Sequence, residues 1–389
     1  MKIRKSSILI SSILLWGFIL QVLPTSNSET DTSFSSFGLL FRVALVLVVC
    51  FVIFTKKVSV KALGFQIANL LLMVVYTWLT IRLKGFTAAY YNLYLYLILA
   101  LVLSLDLRSF KTTKFFDMLF YLLCIMVCVT GILVVIKEPT VCNYIAKYYN
   151  RYWERCTYYM MNAGKPVGSY ATHSIAGFIY FQFGVLLYFK NRKKFNWINT
   201  ILLATIIFLI LMLRSNTAIL LIGLGLCLIL LNNRDNKSKT KLIMQMIAVV
   251  IACAVICTNM EWIQTITGSK ENGLLGRFTG TSVFLNNFTF LRNNMLPIGF
   301  STSSSIWISD CGYIVALLRG GILNLIILYG SAIAFFRRNL SSKKILLPAL
   351  SSLLLFEIGY PVLMELKYVL FLPFLVIALN SYSQSPNNG

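Results

Sequence analysis

Long apolar segments follow one another along almost the whole chain, and this repetition is the feature that most restricts its fold. Apolar residues make up 58% of the sequence and the mean hydropathy is +0.79, whereas soluble domains are about 45–50% apolar. Lipid admits only helices or closed barrels, because every backbone polar group must be satisfied internally. The apolar stretches are continuous rather than alternating, which favours helices. We therefore predict an all-α polytopic membrane protein, with residues 1–389 forming a single integral membrane domain.

A spanning helix needs about 20 mostly apolar residues, and the segments of that kind predict about twelve spans. The first is interpreted as a retained helix and not as a cleaved signal peptide, and the short seventh and eighth could instead form one re-entrant hairpin. Two large polar segments, at about 137–169 and 259–310, are predicted to be outer loops. The predicted spans are 7–24, 38–55, 63–82, 86–105, 116–136, 170–189, 197–213, 217–231, 242–258, 312–336, 345–361 and 366–381.

The basic residues predict the orientation of these helices, because cytoplasmic loops of membrane proteins are rich in Lys and Arg. Most of the 35 Lys and Arg residues fall in alternate short connections if both termini are placed in the cytoplasm. Both large loops then lie on the outer side. The same pattern explains most of the net charge of +23, so that charge does not indicate nucleic-acid binding.

Several kinds of chemistry have no residues to support them in this sequence. No Walker loop is present, and the connections predicted to be cytoplasmic are about ten residues long or shorter, which argues against an ATP-driven pump. The chain has one histidine and no Cys/His pattern with metal-ligand spacing, so no metal and no cofactor are predicted. Cys142 and Cys156 share the first outer loop; they form a disulfide in an oxidising compartment, or they remain two free thiols.

The first outer loop alternates aromatic rings with cations. Aromatic rings stack on the apolar faces of sugars, and the guanidinium fork binds carboxylate or phosphate in two places. The same pattern is also typical of an amphipathic helix at the membrane interface, and both interpretations stay open. The residues that we select from this loop as candidates for substrate binding are Arg151, Tyr152, Trp153 and Arg155.

Three further arginines are candidates for binding an anion. Arg214 lies at the outer turn between the seventh and eighth spans, and Arg277 and Arg292 lie in the second outer loop. Cations near the outer helix ends suit a pyrophosphate, whose negative charge is spread over several oxygens. For Arg214 alone, a side chain that simply extends to the membrane interface is an equally simple interpretation.

Charged groups at membrane depth are costly and therefore point to function. Arg319 in the tenth span and Glu357 in the eleventh are predicted to pair. Asp310 opens the tenth span, where a substrate can reach it, although a carboxylate there is also a good helix cap. His173 begins the sixth span and is a second candidate, with hydrogen-bonded packing as its simpler interpretation.

Three segments in order resemble the superfamily of lipid-linked oligosaccharide polymerases and O-antigen ligases. They are RSNTAILLIGLGLCLIL, GLLGRFTGTSVFLNNFTFLRNNMLPIGF and SDCGYIVALLRGGILNLIILY, and GSYATHSIAGFIYF is a weaker match. Together they cover about a third of the chain. Two departures stand out: the family's ligases have a histidine where this chain has Asp310, and Arg214 is followed by Ser215 and Asn216 rather than directly by small residues.

The resemblance implies a GT-C-like membrane glycosyltransferase in the inner membrane of a bacterium, and the missing histidine favours a Wzy-type polymerase. Such an enzyme joins oligosaccharide repeat units carried on undecaprenyl pyrophosphate into O-antigen or capsular polysaccharide, in some cases with a chain-length regulator. Arg214 and Arg277, with Arg292 in reserve, would hold the pyrophosphate, and Asp310 or else His173 would be the base. The alternatives are an O-antigen ligase and a polysaccharide or lipid-carrier flippase.

Overall fold

The computed structural model describes residues 5–23, 36–149, 158–170, 172–193, 195–215, 222–223, 225, 283–294, 296–303, 306, 308 and 311–383. Over these residues the chain is mostly helical. The helices are α1 (Lys5–Val22), α2 (Ser36–Thr55), α3 (Val60–Lys84), α4 (Tyr90–Ser104), α5 (Lys114–Val135), α6 (Pro139–Tyr149), α7 (His173–Lys193), α8 (Trp197–Met212), α9 (Val283–Asn294), α10 (Gly312–Asn339), α11 (Lys343–Phe356) and α12 (Leu366–Ser383).

The helix ends follow from local sequence signals. Ser59, Thr113 and Ser342 precede α3, α5 and α11, and each hydroxyl accepts a hydrogen bond from a backbone N–H of the first turn. Gly85 ends α3 in the left-handed conformation at φ 66°, which glycine adopts without steric cost. Polar caps therefore fix where these apolar segments begin as helices, and a glycine fixes where α3 ends.

The predicted helices are largely confirmed in position, but a count of twelve spans is not. Ten of the twelve predicted segments coincide with helices, and the other two, 217–231 and 242–258, lie almost entirely outside the described residues. Among the described helices, α3, α5 and α10 are long and apolar enough to cross a membrane. Five other apolar helices have apolar stretches of 14–17 residues. At about 1.5 Å per residue these extend over about 21–26 Å, less than the roughly 30 Å of a bilayer core.

Large apolar side chains point outward from the long helices. Leu71 and Trp78 on α3 are 63% and 59% exposed, and Leu122 and Val129 on α5 are 54% and 51% exposed. By contrast, α12 is buried almost throughout and packs against α1 and α7. The bundle therefore has a buried central helix and an apolar outer surface of the kind that suits lipid.

One end of the bundle gathers the connections that are rich in Lys and Arg, and we call it the basic end. There the Arg338 guanidinium donates to the carbonyls of Leu103 (2.8 Å) and Leu105 (3.0 Å). The Asn380 side chain donates to the Asn339 carbonyl at 2.6 Å, and Lys193 Nζ donates to the Ser381 carbonyl at 2.7 Å. These contacts join the ends of α4, α7, α10 and α12.

The opposite end, which we call the loop end, holds α6, residues 158–170 and a small sheet. In the sheet, β1 (Thr87–Ala88) pairs antiparallel with β2 (Ser301–Thr302), so that Thr87 faces Thr302. This pairing fixes the segment before α10 against the end of α3. The loop end includes the described parts of both large loops predicted from the sequence.

Candidate functional site

The candidate residues fall into two groups with respect to the structure. His173, Arg214 and Arg292 are described, and all three lie at the loop end of the bundle. The other candidates lie outside the described residues, so their predicted roles stay predictions. They are Arg151, Tyr152, Trp153, Arg155, Arg277 and Asp310.

Tyr159, Lys165 and His173 contact one another at the loop end, and the charge of Arg214 acts on Lys165; we call these four residues the loop-end cluster. Tyr159 lies in a π-helical turn, Tyr158–Asn162. Lys165 Nζ lies 5.3 Å from the centre of the Tyr159 ring, within the range of a cation–π contact. On another side the Tyr159 ring meets His173 edge-on, with 5.3 Å between ring centres. The structure thus connects the predicted base His173 to a lysine through one tyrosine.

The backbone around Lys165 is held in place by local hydrogen bonds. Its N–H donates to the Tyr159 carbonyl at 2.8 Å, and its carbonyl accepts from the N–H of Val167 at 2.8 Å. Gly164 just before it has φ +61°, where a Cβ would come within 3.2 Å of the Val135 carbonyl oxygen. The position of Lys165 is therefore set by the fold and does not depend on a free loop.

Arg214 is held in a strained backbone conformation with φ 48°, which costs an L-residue roughly 1–2 kcal/mol. Its neighbours Leu213 and Ser215 are buried, while Arg214 itself is exposed. The buried neighbours fix the turn and leave the guanidinium outside. Strain of this kind at an exposed cation is an observation from which a functional hypothesis can start.

The two cations of the loop-end cluster repel each other. Partial burial lowers the pKa of the Lys165 ammonium, and the nearby positive charge of Arg214 lowers it further. An anion with several charged oxygens bound next to both groups would remove this repulsion and favour the charged form of Lys165. The arrangement therefore suits a phosphate or pyrophosphate better than a neutral ligand.

Sequence reasoning missed Lys165 and included Tyr159 only among the aromatic rings of the first outer loop, to which both residues belong. The candidates predicted in this loop lie at residues 151–155, where cations and aromatic rings are most concentrated. The sequence AGKPVGS contains a signal for Lys165. Glycine before the lysine, proline directly after it and a second glycine two residues later are typical of a tight, fixed turn. The electrostatic interaction of Lys165 with Arg214, 49 residues later, depends on the tertiary fold, and no local pattern contains it.

Arg292 lies elsewhere at the loop end. It is an exposed residue of α9, a helix that packs against α10. On the same helix, the Phe290 ring stacks with Phe86 beside β1, with 6.4 Å between ring centres. The structure therefore brings His173 and Arg214 into one cluster and associates Arg292 with the side of the bundle formed by α3 and α10.

The helix α10 is broken at two glycines, about a third of the way from its N-terminal end. Gly320 and Gly321 are non-helical, and Gly321 has φ 69° and ψ −165°, a conformation that is essentially restricted to glycine. The carbonyls of Leu318 and Arg319, freed by the break, accept from the N–H groups of Ile298 (2.9 Å) and Gly299 (2.8 Å). Residues 296–303 thus complete the backbone pairing of the broken helix.

A network of polar side chains surrounds this break. On α3, the Thr77 hydroxyl accepts from the N–H of Phe300 at 2.7 Å. Nearer the start of α3, the Asn69 side chain donates to Asn324 Oδ1 at 2.7 Å. The Asn324 side chain donates in turn to the Ala316 carbonyl at 2.8 Å. Irregular backbone at membrane depth is tolerated where protein groups satisfy it, and this network does so.

The predicted pairing of Arg319 with Glu357 is wrong. Arg319 is 1% exposed and donates through Nη1 to the carbonyls of Gly299 (3.2 Å) and Ser301 (2.7 Å). Glu357 accepts instead from the Tyr329 hydroxyl at 2.7 Å and the N–H of Leu363 at 2.8 Å. The break in α10 brings residues 299–301 to Arg319, so that each buried charge is bonded to neutral groups rather than to the other charge.

The predicted disulfide of Cys142 is not formed. Cys142 lies on α6 and is a buried free thiol, and its possible partner Cys156 lies outside the described residues. Burial raises the pKa of the Cys142 thiol, which keeps it protonated and unreactive. Of the two alternatives predicted for Cys142, the free thiol is therefore the one that the structure supports.

Among the described residues, no group of three or more His, Cys, Asp or Glu side chains is placed to hold a metal ion. In comparisons with known proteins, no family model, no curated protein and no solved structure matches the chain. Membership of the polymerase and ligase superfamily and the GT-C-like fold therefore stay predictions from the sequence motifs.

Proposed function

We propose that this protein is an integral membrane glycosyltransferase that polymerises oligosaccharide repeat units carried on undecaprenyl pyrophosphate. The observation that carries the proposal is the pair of cations Lys165 and Arg214 at the loop end, beside Tyr159 and His173. The sequence motifs that resemble Wzy-type polymerases support the same function. The product would be an O-antigen or a capsular polysaccharide.

The main requirement of this reaction is stabilisation of the leaving pyrophosphate. As the bond between sugar and pyrophosphate breaks, negative charge develops on the pyrophosphate, and Lys165 and Arg214 would stabilise that charge. The Tyr159 ring offers a surface for a sugar. His173, on the other side of Tyr159, would accept a proton from the acceptor hydroxyl or orient that hydroxyl. Asp310 stays the alternative base.

The proposal places the protein in the inner membrane of a bacterium, with both termini and the basic end in the cytoplasm. Its lipid-linked substrates and any chain-length regulator would then meet the loop end on the outer side. The enrichment of Lys and Arg at the basic end supports this orientation.

Reporter fusions test the orientation. Alkaline phosphatase, which folds only outside the cytoplasm, is expected to be active when fused after residue 147 or 292 and inactive after residue 193 or 340. A cytoplasmic reporter such as green fluorescent protein at the same four sites should give the opposite pattern. Active alkaline phosphatase at 193 and 340 would place the loop-end cluster in the cytoplasm and contradict the proposal.

A flippase is the second candidate, and the broken helix α10 favours it. Discontinuous helices with polar groups near mid-membrane are typical of transporters. Within the described residues, Nη2 of the buried Arg319 has no hydrogen-bond partner, so it can donate to a passing anionic group. Against this candidate, residues 296–303 fill the break. The ligase alternative rests on no observation in the structure.

A deletion strain separates these candidates by what accumulates. Loss of a polymerase leaves single repeat units, transferred to their final acceptor or held on the lipid carrier at the outer face. Loss of a ligase leaves long polymer on the carrier, and loss of a flippase leaves single units at the inner face. We expect the first result, with long polymer restored by the intact gene. Either of the other two results would contradict a polymerase.

A further inference from the structure

A cavity of about 690 Å³ opens at the basic end, on the side of the bundle away from the loop-end cluster. It lies between the starts of α5 and α8 and the ends of α7 and α12, and residues from all four helices line it. Its volume is within the range of small-ligand sites, about 300–1,000 Å³. The proposed polymerase chemistry gives this cavity no role.

The floor of the cavity is a fixed polar framework around Lys190. Lys190 Nζ lies 3.2 Å from Asp117 Oδ2, 4.1 Å from the centre of the Tyr121 ring and 4.9 Å from that of Tyr382. The Tyr382 hydroxyl donates to Asp117 Oδ1 at 2.6 Å. The Asp117 carboxylate is therefore already engaged by two partners.

Two further lysines line the cavity, and the one carboxylate among its lining residues, that of Asp117, is already engaged by Lys190 and Tyr382. Lys193 uses one of its three donors on the Ser381 carbonyl at 2.7 Å, which leaves two for a ligand. Lys111 is an exposed lining residue, and the N–H of its neighbour Thr112 donates to the Ser381 hydroxyl at 3.2 Å. Three ammonium groups thus face one carboxylate, and the cavity has a net positive charge that favours an anionic ligand.

An apolar surface continues from the rim of the cavity along α8. Phe195 and Trp197 meet edge-on, with 5.2 Å between ring centres, and are 62% and 71% exposed. Ile198 and Ile201, which follow on α8, are 55% and 62% exposed. Exposed tryptophan next to lysine is typical of the membrane interface. A ligand that combines an anionic head with apolar chains fits this surface better than free phosphate does.

We propose that this cavity binds an anionic phospholipid, with the headgroup phosphate between Lys111 and Lys193 and an acyl chain along Trp197 and Ile201. Membrane lipids of this charge attract basic groups at the cytoplasmic surface. The site lies at the opposite end of the bundle from the loop-end cluster and does not depend on the proposed function.

Fluorescence quenching tests the proposal on the purified full-length protein in detergent. Brominated phosphatidylglycerol and brominated phosphatidylcholine are added in separate titrations. The quenching of Trp197 is the difference between the quenching of the wild-type protein and that of Trp197→Phe. We expect phosphatidylglycerol to quench Trp197 half-maximally at a roughly ten-fold lower concentration than phosphatidylcholine. The double variant Lys111→Ala/Lys193→Ala should lose this preference.

Two further variants separate charge from folding. Lys111→Arg/Lys193→Arg keeps both charges and should retain the preference, as should Lys61→Ala/Lys343→Ala, which removes two exposed lysines of the basic end that do not line the cavity. Equal quenching by the two lipids would overturn the proposal. So would an unchanged preference in Lys111→Ala/Lys193→Ala, or displacement of phosphatidylglycerol by millimolar inorganic phosphate, which would indicate a site for the soluble anion.

Discussion

The double variant Lys165→Ala/Arg214→Ala is expected to abolish polymerisation while leaving the amount of protein in the membrane unchanged. Both cations would stabilise charge that develops on the leaving pyrophosphate, and the loss of one such donor typically costs about 10²–10³-fold in rate. Each single variant should therefore lose at least about 10²-fold. The length distribution of polysaccharide in the complemented deletion strain measures the effect.

A matched double variant serves as the control. Arg82→Ala/Lys84→Ala removes one arginine and one lysine that are also exposed at the loop end, on the last turn of α3, and we expect normal polymer. Arg214→Lys should lose most activity, because lysine keeps the charge but not the two-pronged hydrogen bonding. A wild-type length distribution of polymer in Lys165→Ala/Arg214→Ala would contradict a role of Lys165 and Arg214 in catalysis.

Gly299→Ala is expected to lower the free energy of unfolding by about 3 kcal/mol or more. Gly299 has φ +59°, which costs an L-residue roughly 1–2 kcal/mol. The added Cβ would also overlap the Met73 carbonyl oxygen and lie 2.6 Å from the Thr77 backbone nitrogen. Overpacking of this kind adds typically about 1–3 kcal/mol, and it would displace the segment that completes the broken helix α10.

Gly64→Ala provides the comparison for this variant. Gly64 lies on the exposed surface of α3, and a Cβ there meets nothing within 4 Å. Since alanine favours helix over glycine, this change should leave stability equal or slightly higher. The melting temperatures of the two variants in detergent measure the difference. The folded fraction after heating is determined by size-exclusion chromatography. Equal melting temperatures would mean that residues 296–303 do not pack against α3 as described.

The helix positions could be predicted from the sequence because apolar runs are local signals. For example, the predicted span 116–136 corresponds to α5 (Lys114–Val135), where Thr113 supplies the cap. The break in α10 could not be predicted this way. The pair Gly320–Gly321 lies in an apolar segment, and the break is stable because Ile298 and Gly299 supply the missing backbone donors from another part of the chain.

Only part of the candidate site could be predicted, because only some of its features are local in the sequence. Arg214 and His173 were recognised individually, by charge at a turn and by position at a helix start. Their connection through Lys165 and Tyr159 depends on where the fold places residues 158–165 relative to His173 and Arg214, which is a tertiary property. The predicted pairing of Arg319 with Glu357 was wrong because it considered only charged partners, and the fold supplies backbone carbonyls and a tyrosine hydroxyl.

The most direct test of the polymerase proposal is a reaction with purified components. The full-length protein in proteoliposomes is mixed with lipid-pyrophosphate-linked repeat units isolated from the deletion strain, and the products are separated by size. The proposal predicts a ladder of polymers that grows with time without nucleotide, together with release of undecaprenyl pyrophosphate, and no ladder with Lys165→Ala/Arg214→Ala. Translocation of the lipid-linked unit across the bilayer without any ladder would contradict it and identify a flippase.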